Sequence, residues 1–329
     1  MRSDYGGSAV QERVVILQET ANPSVDFFLR QPFSGQSVSC LSLHDTPDDD
    51  QLTGATLVVC RYLDRRWRLW IEQNRHALAR LVYFFDDDLF DVRATKGLPW
   101  RYRYKLWRLA RRHGQWLQQM DAEFWVSSPH LQQAYAAWRP QLVAPANPHG
   151  RPMPSQAGQY DADILFYHGS ASHGADLRWL EPVLSDVSAT CPNILIELIG
   201  DRHVRDLYSH LPRVRVVHPM AWNHYQALLR SPGRTIGLAP LLPTRFNAAR
   251  APTKFFDITA TGAVGLYADH SVYRDTISHD HNGLLLPMDA QDAWAEAIIA
   301  LHHAPDRCQR LHANACESVS GMNEAVEYS

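Results

Sequence analysis

A long apolar run, an excess of charge of one sign and paired cysteines are all missing from this 329-residue sequence. No stretch approaches the roughly 18 consecutive apolar residues that a membrane-spanning helix needs. No apolar run of the signal-peptide type follows Arg2 near the N-terminus. The sequence is therefore expected to be a soluble cytoplasmic protein.

The lack of a basic excess argues against nucleic acid as a partner. The net charge is −3, whereas a duplex-binding surface usually shows as a surplus of lysine and arginine. No nucleic-acid partner is expected, although a local basic patch stays possible.

The cysteines do not suit a disulfide framework or a zinc site. They are five, an odd number, and no two form a CxxC pair, which is typical of reduced thiols in a cytoplasm. We expect all five to be packing residues: Cys40, Cys60, Cys191, Cys308 and Cys316.

Short apolar runs that alternate with longer amphipathic stretches are what the sequence does contain. This rhythm predicts βα units and parallel sheets, and the length favours two α/β domains of about 150 residues each. Strands are predicted at 14–17, 38–43, 57–60, 81–85, 124–126, 142–144, 164–167, 194–199, 214–217, 235–238, 263–267 and 284–286.

A segment rich in proline and glycine, residues 145–159, separates the two halves and is interpreted as an interdomain linker. The predicted domains are 1–150 and 151–318, with a helix over 306–318. Residues 319–329 are predicted to be a C-terminal tail that is frayed from Gly321 onward.

The turn that follows the strand at 164–167 is the first candidate site. Gly169 and Gly174 would let the backbone approach a phosphate or a sugar closely, and Gly169 and Ser170 are the candidate donor-binding residues of this turn. His173 and Asp176, three residues apart at the helix start, could act there as a catalytic pair. A tight turn capped by Ser172, with His173 and Asp176 in a simple capping contact, is the alternative.

The helix expected to start at Pro252 is the second candidate. Its free amides near Thr253 and Lys254, together with nearby Arg250, would favour a diphosphate. Asp257, three residues after Lys254, could accept hydrogen bonds from a ribose. An exposed Lys–Asp pair on a solvated helix is the alternative.

Residues 161–315 resemble the donor domain of the family-4-type retaining glycosyltransferases, which have the GT-B architecture. The ordered motifs VRVVHPMAWNHYQALL and IGLAPLLPTRFNAARAPTKFFDITATGAVGLYADH carry this resemblance. It implies two Rossmann-like domains with parallel sheets that face across a cleft, a nucleotide-sugar donor held by the C-terminal domain, and retention of configuration.

The resemblance also implies roles for single residues. Asp257 matches the second carboxylate of the E-x7-E motif, which contacts the nucleotide ribose, and Thr253 and Lys254 match its phosphate-facing helix start. Ala249 stands where the first acid is expected. The arginine and lysine that grip the diphosphate after the first glycine turn are also absent, so Asn247, Arg250 and His173 are the candidate replacements.

The acceptor is expected to bind the N-terminal domain. Asp86 and Asp88 follow a predicted central strand and could orient or deprotonate an acceptor hydroxyl. We discount a metal-binding DxD, because a helix terminus already accounts for the diphosphate. An acidic helix-capping turn is the alternative.

Arg101, Lys105, Arg108 and Arg112 form one basic stripe on the helix predicted over 101–120. It could contact anionic lipid at the inner face of a membrane, or an acidic acceptor. A plain solvated face is the alternative.

These observations predict a glycosyltransferase that moves a sugar, a hexose or similar, from a nucleotide-sugar to a glycan or lipid-linked acceptor. No cofactor and no metal are expected, the donor being a co-substrate. The alternatives are a GT-B-fold sugar-nucleotide epimerase and a non-catalytic sugar- or nucleotide-binding partner subunit, the latter motivated by Ala249.

Overall fold

The computed structural model describes residues 12–160, 162–169 and 173–327, with side chains up to Met322 in the last helix. Each half contains one six-stranded sheet in which every neighbouring pair of strands is parallel. The chain divides into an N-terminal unit, Met1–Val143, and a C-terminal unit, Ala144–Ser329. The predicted α/β class with two parallel sheets is confirmed.

The central strands of the N-terminal sheet form because their apolar runs are buried on both faces. Its third strand is buried along its whole length, as strands of a parallel sheet covered by helices are. The strands are β1 (Arg13–Gln18), β2 (Ser37–Ser42), β3 (Thr56–Cys60), β4 (Arg80–Phe85), β5 (Glu123–Val126) and β6 (Gln141–Leu142).

Side-chain caps fix the starts of several helices in this unit. The Asp64 carboxylate accepts from the amide of Trp67, and the Ser128 hydroxyl accepts from that of Leu131. The helices are α1 (Asp49–Leu52), α2 (Arg65–Asn74), α3 (Trp100–Leu109), α4 (Gly114–Gln119) and α5 (Pro129–Ala134), with a π-helical turn at Val25–Leu29.

The C-terminal unit repeats the pattern with its own core. Its strands are β7 (Ile164–Tyr167), β8 (Leu195–Ile199), β9 (Val214–Val217), β10 (Arg234–Ala239), β11 (Val264–Ala268) and β12 (Leu284–Leu286). Its helices are α6 (Gly174–Thr190), α7 (Arg202–Leu207), α8 (Trp222–Leu229), α9 (Arg245–Ala248), α10 (Thr253–Ala260), α11 (Ser271–Arg274), α12 (Gln291–His302) and α13 (Pro305–Glu327).

The strand orders place a topological switch point in each sheet. The N-terminal order is β2-β1-β3-β4-β5-β6, and the C-terminal order is β12-β11-β10-β7-β8-β9. The connections therefore change direction between β1 and β3 in one sheet and between β7 and β10 in the other. In open parallel sheets, ligands bind beyond the carboxyl ends of the strands at such points.

The segment predicted as a linker packs against the C-terminal unit, which begins at Ala144. The Met153 amide donates to the Ala260 carbonyl at 3.1 Å, and the Gln156 side chain accepts from the Gly233 amide at 2.5 Å. Gly262 has a φ of +85°, and a Cβ there would lie 2.4 Å from the Pro154 carbonyl oxygen. The segment is thus part of the folded unit rather than a free connection.

Two further expectations need correction. The last helix continues to Glu327, so residues 321–327 are helical and not frayed. Cys40 is exposed and Cys316 is half-buried, so the packing role predicted for every cysteine fits the other three.

None of the helices in the described ranges is long and apolar enough to cross a bilayer.

Candidate functional site

The switch point between β7 and β10 lies among basic and imidazole side chains. The loop after β10 is tied to the first turn of α6, the helix that follows β7, because the Leu242 amide donates to Asp176 Oδ1 at 3.2 Å. Asn247 Nδ2 donates to the Leu242 carbonyl at 2.9 Å, so Asn247, predicted to bind the donor, holds the loop backbone here.

His173 and Asp176 form the predicted pair. Nδ1 of His173 lies 2.6 Å from Asp176 Oδ2, and both side chains are buried. Burial and the charge of nearby Arg250 lower the pKa of His173 to about 4, so the ring is neutral at neutral pH. Because a carboxylate only accepts, Nδ1 carries the proton and Nε2 is the acceptor of the ring.

The glycine turn after β7 precedes this pair in the sequence. A Cβ at Gly169 would lie 2.8 Å from the Tyr167 hydroxyl oxygen, so the ring beneath the turn requires glycine there. The Tyr167 hydroxyl and His168 Nδ1 are buried and have no hydrogen-bond partner within the described residues. Ser170, predicted to bind the donor, and Ser172, the predicted cap, lie outside the described residues.

Lys254 faces the same edge of the sheet. Its ammonium donates to the carbonyl oxygen of His168 and lies 3.6 Å from Asp257 Oδ2. Burial lowers the pKa of Lys254, an effect that the charge of Asp257 opposes. Arg250 is near enough to act on the pKa values of both Lys254 and His173, so the two cations belong to one cluster.

Asp257 is enclosed by donors of its own unit. Its carboxylate lies 2.9 Å from His149 Nε2 and accepts from the Tyr225 hydroxyl at 3.3 Å. Burial opposes its charge, but the hydrogen bond from His149 and the charge of Lys254 lower the pKa of Asp257. The Lys254–Asp257 pair is thus largely buried, with side chains 23% and 8% exposed, rather than an exposed surface pair, and the ribose contact stays a prediction.

The start of α10 differs in one detail from the expectation. Pro252 is the N-cap and the helix begins at Thr253. The sequence predicted a free amide at Thr253. This amide instead donates to the Ala251 carbonyl at 2.8 Å, so it is not free to bind phosphate. The cationic side chains Lys254 and Arg250, rather than the Thr253 amide, give this end of the helix its anion-binding character.

A buried ion network that joins β8 and β10 was not predicted from the sequence. Glu197 accepts from Arg234 Nε at 2.7 Å and from the guanidinium of Arg215, and His168 Nε2 lies 3.0 Å from Oε1 of Glu197. Burial opposes ionisation, yet the hydrogen bonds of His168 and Arg234 lower the pKa of Glu197 to about 2. Burial also lowers the pKa of His168 to about 4. The network fixes His168, whose carbonyl holds Lys254.

In the N-terminal unit, Asp86 and Asp88 have separate surroundings. Asp86 accepts from the Ser24 hydroxyl at 2.5 Å and lies 3.5 Å from an Arg61 guanidinium nitrogen. Asp88 accepts from the Tyr135 hydroxyl and from the Asp91 amide. Burial raises the pKa of Asp88. Asp88 therefore holds the turn after β4, but no helix starts within residues 86–99, so it is not the helix cap that was the alternative. Asp86 is the more accessible carboxylate.

Arg61 is a further residue that the sequence did not indicate. It directly follows β3 and has a φ of +65°, in the left-handed region that non-glycine residues rarely adopt. It places a guanidinium beside Asp86 at the N-terminal switch point.

Within the described residues, no group of three or more His, Cys, Asp or Glu side chains is placed to hold a metal ion.

The basic stripe is only partly as predicted. Arg101, Arg108 and Arg112 are exposed, but Lys105 lies 2.6 Å from Glu19 and 4.6 Å from the centre of the Tyr62 ring. Lys105 therefore packs against its own unit and does not belong to an exposed stripe.

Known proteins resemble this chain in structure and not in sequence. No family model and no curated protein matches it. HepE of Anabaena, solved with UDP and glucose, superposes with a TM-score of 0.61 at 12% identity, over 96% of this chain and 98% of HepE. The chain has the GT-B fold.

Two further solved structures share the GT-B fold. Sucrose-phosphate synthase from Thermosynechococcus elongatus gives a TM-score of 0.59 at 12% identity, over 96% of each chain. The pneumococcal O-GlcNAc transferase GtfA, solved with UDP and GlcNAc, gives 0.58 at 14% identity over 84% of this chain. This chain spans 56% of the length of GtfA.

Proposed function

We propose that this GT-B chain is a nucleotide-sugar-dependent glycosyltransferase whose C-terminal unit binds the donor. The cluster of Lys254, Arg250 and two neutral imidazoles at the β7/β10 switch point carries the proposal. Cations at the edge of a parallel sheet suit a diphosphate, and HepE and GtfA, which share the fold, were solved with UDP.

The reaction follows from the charges in this cluster. Cleavage of the bond between the sugar and the diphosphate leaves negative charge on the leaving group. Lys254 and Arg250 would stabilise that charge, which is the main electrostatic demand of the step. His173 Nε2 would accept a hydrogen bond from the donor. Transfer with retention and without a metal is part of the proposal, with activity expected to persist in EDTA.

The acceptor is proposed to be a glycan or a lipid-linked sugar. Asp86, which lies at the carboxyl end of β4 beside Arg61, is the proposed group that orients or deprotonates the acceptor hydroxyl. Asp88 would support the turn that carries it. A membrane-bound acceptor would bring the chain to the cytoplasmic face of a bilayer.

The donor assignment is tested by a thermal-shift panel of UDP, GDP, dTDP, ADP and CMP. A ligand at 100 times its dissociation constant adds about 2.7 kcal/mol to the stability of the native state. We expect a nucleoside diphosphate to raise the melting temperature. A panel in which no nucleotide shifts it would refute the donor assignment.

A non-catalytic nucleotide- or sugar-binding subunit is the second candidate. Ala249, in place of the acid expected at that position, is fully buried and offers no carboxylate to a donor. Nucleotide binding without turnover of any nucleotide-sugar would favour this reading. Product analysis in the absence of acceptor separates both candidates from an epimerase, which would convert the donor alone.

A further inference from the structure

The solvent-facing side of α3 carries three large aromatic residues. Trp100, Tyr104 and Trp107 are 70%, 55% and 47% exposed, and their i, i+4, i+7 spacing places them on one face of the helix. Tyr104 and Trp107 stack with ring centres 5.9 Å apart. Single exposed aromatics are ordinary on a protein surface, but a contiguous group of three marks an interaction site.

Arginines flank these rings on both sides. At 100° per residue, Arg103 lies on one side of the aromatic row, and Arg101 and Arg108 lie on the other. The Arg101 guanidinium lies 5.5 Å from the centre of the Trp100 ring. The opposite side of the helix is anchored, because Leu106 and Leu109 are buried.

The segment of the chain that carries this face has charged residues of one sign. Residues 92–112 contain eight lysines and arginines and no acid: Arg93, Lys96, Arg101, Arg103, Lys105, Arg108, Arg111 and Arg112. The partner must therefore be negatively charged. An apolar phase would also cover the three rings, which charge attraction alone would leave exposed.

An anionic bilayer surface meets both requirements. Trp and Tyr side chains favour the headgroup region, where the ring is partly out of water and its polar atom stays hydrated. A helix with an aromatic row and flanking arginines lies in that plane, and its arginines attract anionic lipids.

We infer that the exposed face of α3 formed by Trp100, Tyr104 and Trp107, with Arg101, Arg103 and Arg108 beside them, docks the protein onto anionic membrane surfaces. The aromatic rings insert at headgroup depth while the arginines contact lipid phosphates. The docking face differs from the predicted basic stripe by its aromatic row and by the absence of Lys105. It does not depend on the proposed sugar transfer.

The test is sedimentation with vesicles of phosphatidylcholine and phosphatidylglycerol in equal parts, compared with vesicles of phosphatidylcholine alone. We expect the full chain to bind the anionic vesicles. The double variant Trp100→Ala/Trp107→Ala should weaken binding by about tenfold for each ring. The triple variant Arg101→Ala/Arg103→Ala/Arg108→Ala should weaken it by about fivefold for each charge.

Matched controls come from the other unit. Tyr160 is 51% exposed and the Arg202 side chain is 88% exposed, so Tyr160→Ala and Arg202→Ala remove a similar ring and charge and should leave binding unchanged. All of the substituted side chains are exposed, and circular dichroism should show native folding.

Three results would overturn the inference. One is absence of binding to the anionic vesicles by the parent chain. Another is full binding by the tryptophan double variant, which would indicate a purely electrostatic surface. The last is tryptophan-dependent binding to soluble dextran sulfate but not to vesicles, which would indicate an acidic glycan site. Nucleotide binding by the same variants, expected to equal that of the parent, tests the proposed donor site separately.

Discussion

The carboxyl edges of the two sheets differ in the ionisable groups that they bring together. In the N-terminal unit, Asp86 and Asp88 follow β4, and each has its own partners, Ser24 and Arg61 for one and Tyr135 for the other. The C-terminal edge gathers cations and neutral imidazoles over a buried ion network. Two sheets of the same architecture thus offer different chemistry, and the C-terminal edge is the one suited to an anion.

The largest expected difference between the two units is the stability lost when an ion pair is broken, because the Glu197 network is buried. Arg234→Leu removes a partner of Glu197, whose side chain is fully buried, and should lower the free energy of unfolding by about 3–5 kcal/mol. The control Arg80→Leu breaks the Arg80–Glu123 pair, whose side chains are 37% and 46% exposed, and should cost at most about 1 kcal/mol.

Urea unfolding followed by circular dichroism measures both variants. Equal losses of unfolding free energy in the two variants would show that the Glu197 network contributes no more to stability than the exposed Arg80–Glu123 pair does.

The same substitution should act differently on the carboxylates of the two edges. Asp257→Asn removes a charge that His149 and Lys254 stabilise, and should destabilise the protein at pH 7 by about 1–3 kcal/mol. Asp88→Asn replaces a carboxylate whose pKa burial raises. It keeps an acceptor for Tyr135, so stability should change by less than about 0.5 kcal/mol. A larger loss in Asp88→Asn than in Asp257→Asn would reverse the comparison.

Buried imidazoles predict a dependence on pH. Burial lowers the pKa of His113 in the N-terminal unit, and of His168 and His173 in the C-terminal unit, to about 4. Between about pH 6.5 and 4 the unfolded chain binds protons that the folded chain does not, so stability falls as the pH drops through this window.

Each such imidazole contributes up to about 1.4 kcal/mol per pH unit within the window. His113→Gln should reduce the slope of the unfolding free energy against pH by one such contribution. An unaltered slope in His113→Gln would contradict the assigned neutral state.

Much of the fold could be predicted because buried parallel strands are local apolar runs. The run at 57–60 lies within β3, and the runs at 164–167, 214–217 and 284–286 coincide with β7, β9 and β12. The position of Lys254 at the start of α10 also followed from local signals. Such features can be predicted because the start of a helix and the charge near it depend on only a few neighbouring residues.

The partners of the site residues could not be predicted, because they depend on contacts between distant parts of the chain. His149 is 108 residues from Asp257 and lies in a segment whose composition resembles a linker. Glu19, which engages Lys105, is 86 residues away from it. One signal was overlooked: Glu197 interrupts the apolar run of β8, and a charge within a buried strand indicates a buried partner.

Titration calorimetry with the nucleoside diphosphate that gives the largest thermal shift tests the central claim, that the cationic C-terminal edge binds the donor. Lys254→Ala should weaken binding by about ten- to a hundredfold, since it removes a charge-assisted contact. Lys105→Ala breaks a comparable lysine–carboxylate pair in the N-terminal unit and should bind as the parent does. A folded Lys254→Ala protein with the affinity of the parent would contradict the claim.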